Sequence, residues 1–157
     1  MNQNKRMNTI VKTLAMTIAV CVGWLNPIGA EPQGHKHLAT PKGGRLLDKT
    51  DPHAEFLVEK DRTVTIHFYS ADMKPVAAST QTVVVLADLK SGKAKVEFEK
   101  KGDVLVSKTK LPDGEGYNII VQFKQTAEAK PLNLRFKLDQ TLCSECQRAE
   151  YACICDH

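Results

Sequence analysis

The stretch GYNIIVQFKQ, residues 116–125, puts Tyr117, Ile119, Val121 and Phe123 at every second position, with Asn118, Gln122 and Lys124 among the residues between them. A period of two marks a strand with one face in a core and the other in water. PLNLRFKLD (131–139) repeats the pattern with Leu132, Leu134, Phe136 and Leu138, and RTVTIHFYS (62–70) repeats it with Val64, Ile66 and Phe68. Working outward, AEFLVE (54–59), QTVVVLAD (81–88), AKVEFEK (94–100) and DVLVSK (103–108) read as further strands, and Arg45-Leu46-Leu47 as a short edge strand.

Between these runs lie turn residues: Lys60-Asp61, Asp72-Met73-Lys74-Pro75, Ser91-Gly92, Lys101-Gly102-Asp103 and Pro112-Asp113-Gly114. No segment carries a convincing helical period. Seven to eight short strands without helices predict an all-β domain, an immunoglobulin-like antiparallel β-sandwich with a Cys-rich C-terminal tail. A dozen or more core-facing strand residues, each worth about 1.5–3 kcal/mol when fully buried, make this core large enough to stand without the tail. The charged stretch AKVEFEKKGDVLVSKTK (94–110) reads as a solvated hairpin guarding a sheet edge.

The N-terminal 30 residues carry Lys5, Arg6 and Lys12 but no acid, then an apolar run from Leu14 to Leu25 that Asn26-Pro27 interrupts. That is the layout of a secretory signal peptide, with cleavage expected after Ala30 and export to the periplasm or beyond. The run is shorter than the roughly 20 apolar residues a spanning helix needs. Cys21 follows Ile18-Ala19-Val20, a distant likeness to a lipoprotein cleavage box, but Val20 stands where that box has a small residue. Cys21 is therefore read as a hydrophobe discarded with the signal.

Removing residues 1–30 leaves 127 residues of the 157, and 19 basic against 18 acidic side chains. A net charge near +1 gives no basis for nucleic-acid binding. The expected organisation is signal (1–30), extended lead-in rich in Pro, Gly and His (31–53), β domain (54–140) and cysteine-rich tail (141–157).

Chemistry is sparse along the domain. There is no nucleophile elbow, phosphate-cradling loop or His-Glu-x-x-His helix, so no enzymatic activity is expected. Gly43-Gly44 reads as a turn, and Asp51, Glu55, Asp61 and Asp72 as exposed or turn-capping acids. The histidines are more suggestive: His35-x-His37 can place two imidazoles on one ion, His53 precedes a strand, His67 lies on a polar strand face and His157 ends the chain.

The sharpest signal is CSECQRAEYACICDH (143–157), where Cys143, Cys146, Cys153 and Cys155 crowd into thirteen positions. The CxxC spacing lets two thiolates converge on an ion, and the CxC pair adds two more, a soft donor set for copper or zinc. His157 is a candidate fifth ligand, with His35, His37 and His53 as a second cluster. In an oxidising compartment the same cysteines can instead form two disulfides, in any of three pairings. Closing Cys153 on Cys155 would be strained, so cross-links between the two pairs are expected if the tail oxidises. Two functions therefore stay open: a metal-binding protein, or an interaction module with a disulfide-stapled tail. A thiol exchanger is a third, disfavoured by the lack of a strand-to-helix redox turn.

PKGGRLLDKTDPHAEFLVEKDRTVTIHFYSADMKPV (41–76) resembles a segment of exported bacterial proteins of heavy-metal efflux systems, at Gly43, Gly44, His53, Glu55, Asp72, Lys74, Pro75 and Val76. It departs from that pattern at Lys42, where the family has histidine. The resemblance implies a periplasmic β-sandwich with a role in metal handling and an envelope or efflux-system protein as partner. It covers about the first third of the mature chain and does not extend to the cysteine tail.

Overall fold

The computed structural model describes residues 38–47 and 49–155. Nine strands follow in chain order: β1 (Arg45–Leu47), β2 (His53–Val58), β3 (Val64–Tyr69), β4 (Pro75–Val76), β5 (Thr82–Leu89), β6 (Gly92–Lys101), β7 (Val104–Ser107), β8 (Asn118–Lys124) and β9 (Leu132–Lys137). The period-two stretches become β3, β8 and β9, and Arg45-Leu46-Leu47 becomes the short edge strand β1. Pro75, expected among the turn residues, folds back with Val76 on Phe68 and Tyr69 as the two-residue β4.

All pairings are antiparallel and run along one path, β1-β2-β3-β7-β6-β5-β8-β9, with β4 added beside β3. The immunoglobulin-like pair of sheets is thus not confirmed; what is shown is a single nine-stranded all-β sheet that nearly closes on itself. Its continuity depends on β6. The first part of this ten-residue strand pairs with β5 as far as Glu97, and Phe98–Lys101 pair with β7. The charged strand therefore has a ladder partner along its whole length, β5 for the first part and β7 for the second. Ala94, Val96 and Phe98 pack toward the core, while Lys95 and Glu97 pair at 2.7 Å, and Lys101 and Glu99 at 3.0 Å, on the solvent side.

Curling brings the two ends of the path face to face. Phe56 of β2 meets Phe136 of β9 edge-on, with centroids 5.2 Å apart, and Phe68 of β3 lies 6.4 Å from Phe123 of β8. Ile66, Val85, Ile119 and Val121 are fully buried around them. Among the described residues no ladder joins β1 to β9, so a seam remains there.

On the outer side of β2, Glu55 is fully buried rather than exposed. Its carboxylate accepts hydrogen bonds from the Gly44 N–H at 2.6 Å, the Lys42 N–H at 3.2 Å and the Tyr69 O–H at 2.6 Å. Three donors can hold a carboxylate in a site without water. They also press the 41–44 turn flat on the strand, so close that a Cβ on Gly44 would run into the Phe56 carbonyl. Asp61, by contrast, caps its turn as expected, accepting from the Thr63 N–H and O–H.

Glu55→Ala leaves those donors without an acceptor. It is expected to cost on the order of 3 kcal/mol in urea titration; a loss below about 1 kcal/mol would show that the clasp matters little to the fold.

Candidate metal centre

After β9 the chain is tied down at once. Leu138 is fully buried and donates its N–H to the Tyr117 carbonyl at 2.8 Å. Next to it the Arg62 guanidinium gathers the loop by donating to Gln140 Oε1 (2.9 Å), the Gly114 carbonyl (3.0 Å) and the Tyr117 hydroxyl (3.0 Å). The tail thus leaves the sheet from a fixed point.

Residues 141–150 form a miniature hairpin with an antiparallel bridge between Leu142 and Ala149. The Cys143 N–H donates to the Arg148 carbonyl at 2.8 Å, and the Glu150 N–H to that of Thr141 at 2.8 Å. Its tip is the CxxC turn, closed by Gln147 N–H to Cys143 O at 3.0 Å. Gln147 adopts φ 58°, a left-handed conformation that turns the chain just after Cys146. A single 3-10 turn, Glu150–Ala152, then carries the chain back so that Cys153 and Cys155 face the first pair. The Cys155 N–H approaches Cys153 Sγ at 3.4 Å, as the tight CxC spacing requires.

All four Sγ atoms lie within 4.8 Å of one another. Cys146 and Cys153 are 3.6 Å apart, and Cys143 and Cys155 are 3.9 Å apart. A disulfide needs about 2.05 Å. Four sulfurs held about 2.3 Å from a central ion in a tetrahedron have edges of about 3.8 Å, which these two separations bracket. Cys143 is buried and the other three are partly exposed.

Electrostatics separates the thiols. Amide N–H groups of Ile154 and Arg148 point at the Cys146 sulfur and lower its pKa. Cys155 is pushed far up, first by loss of water and then by the sulfurs of Cys146, Cys153 and Cys143. For Cys153 the Cys155 amide pulls downward, but burial and the sulfurs of Cys143 and Cys146 carry it upward. Side by side, four thiolates repel one another, and a cation at their centre removes that conflict.

The tail is not an appendix to the sheet. Tyr151 is buried, stacks on Phe136 at 6.3 Å and meets Phe56 edge-on at 6.3 Å. Its hydroxyl accepts from the Val58 N–H at 3.0 Å, and its carbonyl accepts from Arg45 Nη1 at 3.0 Å. Arg45 also lies over the Phe136 ring, 5.0 Å from its centroid. The Arg148 guanidinium ties the hairpin to the Thr40 carbonyl at 3.1 Å. Sequence reasoning passed over Tyr151, whose signal was a lone aromatic between the two cysteine pairs of a polar tail.

The four cysteines are brought together as expected, and among the described residues they are the group of potential ligands that converges. His53 is not gathered with them; it begins β2, opposite Tyr69. His35, His37 and His157 lie outside the described residues, as do Cys21 and the expected signal segment. No known protein family, curated protein or solved structure matches the chain.

His67 pairs across the ladder with Glu55 and is half-buried. Burial lowers its pKa below the usual 6.5, Glu55 and Glu59 oppose that, and Lys42 adds to it. The folded state then binds fewer protons than the unfolded chain just below pH 6.5, so His67 costs stability as pH falls from 6.5 through its folded pKa. Urea midpoints between neutral pH and mildly acidic pH are expected to fall less steeply in His67→Gln than in the native chain; equal slopes would contradict this assignment.

Proposed function

We propose that the protein is a non-enzymatic, exported metal-binding protein that holds one zinc or copper ion on Cys143, Cys146, Cys153 and Cys155. The observation that carries this reading is the sulfur geometry: separations of 3.6 and 3.9 Å within a group no wider than 4.8 Å. Four soft donors gathered this closely suit zinc best. Copper(I) is the next choice on ligand softness, and calcium and magnesium are disfavoured because they prefer oxygen. A donor set completed by the protein itself, with Cys143 buried, fits an ion that is retained rather than one that activates a substrate.

The signal-like N-terminus supports export, and the resemblance of residues 41–76 to modules of heavy-metal efflux systems supports a role in metal tolerance beside an envelope or efflux-system partner. His157 is a candidate supplementary ligand, and His35 and His37 a candidate weaker site.

The test is titration of the thiol-reduced chain with cobalt(II), whose tetrahedral thiolate complexes absorb strongly. One equivalent is expected to bind, to be displaced by zinc and to release protons from the thiols. Replacing any one of the four cysteines by serine is expected to weaken binding by at least about 100-fold. Stoichiometric binding that survives Cys143→Ser combined with Cys155→Ser would remove the assignment.

A further inference from the structure

We infer that the ion held by the four cysteines is the latch of a tyrosine plug, so that metal occupancy controls whether the seam between the β1–β2 end of the path and β9 is covered. This rests on metal binding by the cysteines and adds what that binding does to the rest of the molecule.

The seam exists because β1 is too short. Its three residues pair with Ala54, Glu55 and Phe56 and leave Leu57 and Val58 of β2 beyond its end. A strand edge left without a neighbour must find another partner for its N–H groups. Tyr151 meets that need at one point by accepting from the Val58 N–H, while its ring covers the facing edges of Phe56 and Phe136. One side chain thus bridges both ends of the strand path, and its carbonyl holds Arg45 of β1 as well.

Tyr151 also lies inside the segment that the ligands close. It is five residues after Cys146 and two before Cys153, whose sulfurs are 3.6 Å apart. With an ion between those sulfurs, residues 147–152 form a closed loop, and the entropy of holding the plug beside the sheet is already spent. Without the ion, the sulfurs meet one another through weak thiol contacts. The local backbone ties that remain are the Leu142–Ala149 bridge, the Gln147 N–H to Cys143 at 3.0 Å, the Tyr151 N–H to Asp139 at 2.9 Å and the 3-10 turn. Local ties of this kind, outside a long ladder, open at a lower free energy than the main sheet. Plug and ion are therefore coupled, and the coupling acts equally in both directions.

Hydrogen exchange of the full chain tests this, comparing the zinc-loaded protein with the same sample stripped by chelator under thiol reductant. The Val58 amide and those of Tyr151, Ala152 and Cys153 are expected to exchange at least about 100-fold faster after stripping, while the β5–β8 ladder keeps its protection. Unchanged exchange at Val58, with one zinc verified by mass before stripping, would overturn the latch and leave metal binding standing. Loss of protection across β5 and β8 as well would also overturn it, because the ion would then support the whole fold. Failure of the reduced chain to take up either zinc or copper(I), read in the same mass measurement, would overturn both readings. In the reverse direction, Tyr151→Ala keeps every ligand yet is expected to weaken zinc binding by about 10-fold or more, with Tyr151→Phe, which loses only the contact to Val58, falling between. Native affinity in both variants would overturn the coupling.

Discussion

A curled sheet whose two end strands do not pair must cover both of their edges, and this requirement organises the molecule. The path from β1 to β9 brings Phe56 and Phe136 into contact at 5.2 Å without joining their strands by a ladder. Uncovered strand edges are exposed to water and to pairing with other chains. The tail answers the requirement through Tyr151, and Arg45 supports the same point from β1 through its hydrogen bond and its position over Phe136. Among the described residues beyond 138, Tyr151 is the ring that reaches this point.

Viewed this way, the cysteines serve the sheet as much as they serve an ion. The hairpin carrying Cys143 and Cys146 is anchored to Thr40 by Arg148, and the return carrying Cys153 and Cys155 follows directly from the turn containing Tyr151. A tetrathiolate ion would bind these pieces together on either side of the segment that carries Tyr151. Loss of water and contact with the neighbouring sulfurs raise the pKa values of Cys153 and Cys155, and a cation at the centre of the group would favour their thiolate forms instead.

Much of this was legible in the sequence because period two is a local signal. The alternations at 62–70, 116–125 and 131–139 give β3, β8 and β9, and even Arg45-Leu46-Leu47 is recognisable as a strand. Alternation does not say which strands neighbour one another. Nothing local reveals that β6 changes partner after Glu97, so a pair of sheets was expected where one continuous path is found. Glu55 looked like an ordinary exposed acid because its donors, Gly44, Lys42 and Tyr69, come from another turn and another strand. The cysteine grouping was readable from spacing alone. The role of Tyr151 was not, because its partners Phe56, Val58 and Phe136 are distant in sequence.

The most direct test of the account is native mass spectrometry of the protein recovered from its own compartment, with and without thiol alkylation. The account predicts one bound transition-metal ion per chain, four cysteines shielded from alkylation while it is bound, and four alkylated cysteines after chelation. A metal-free chain carrying the mass deficit of two disulfides would contradict it.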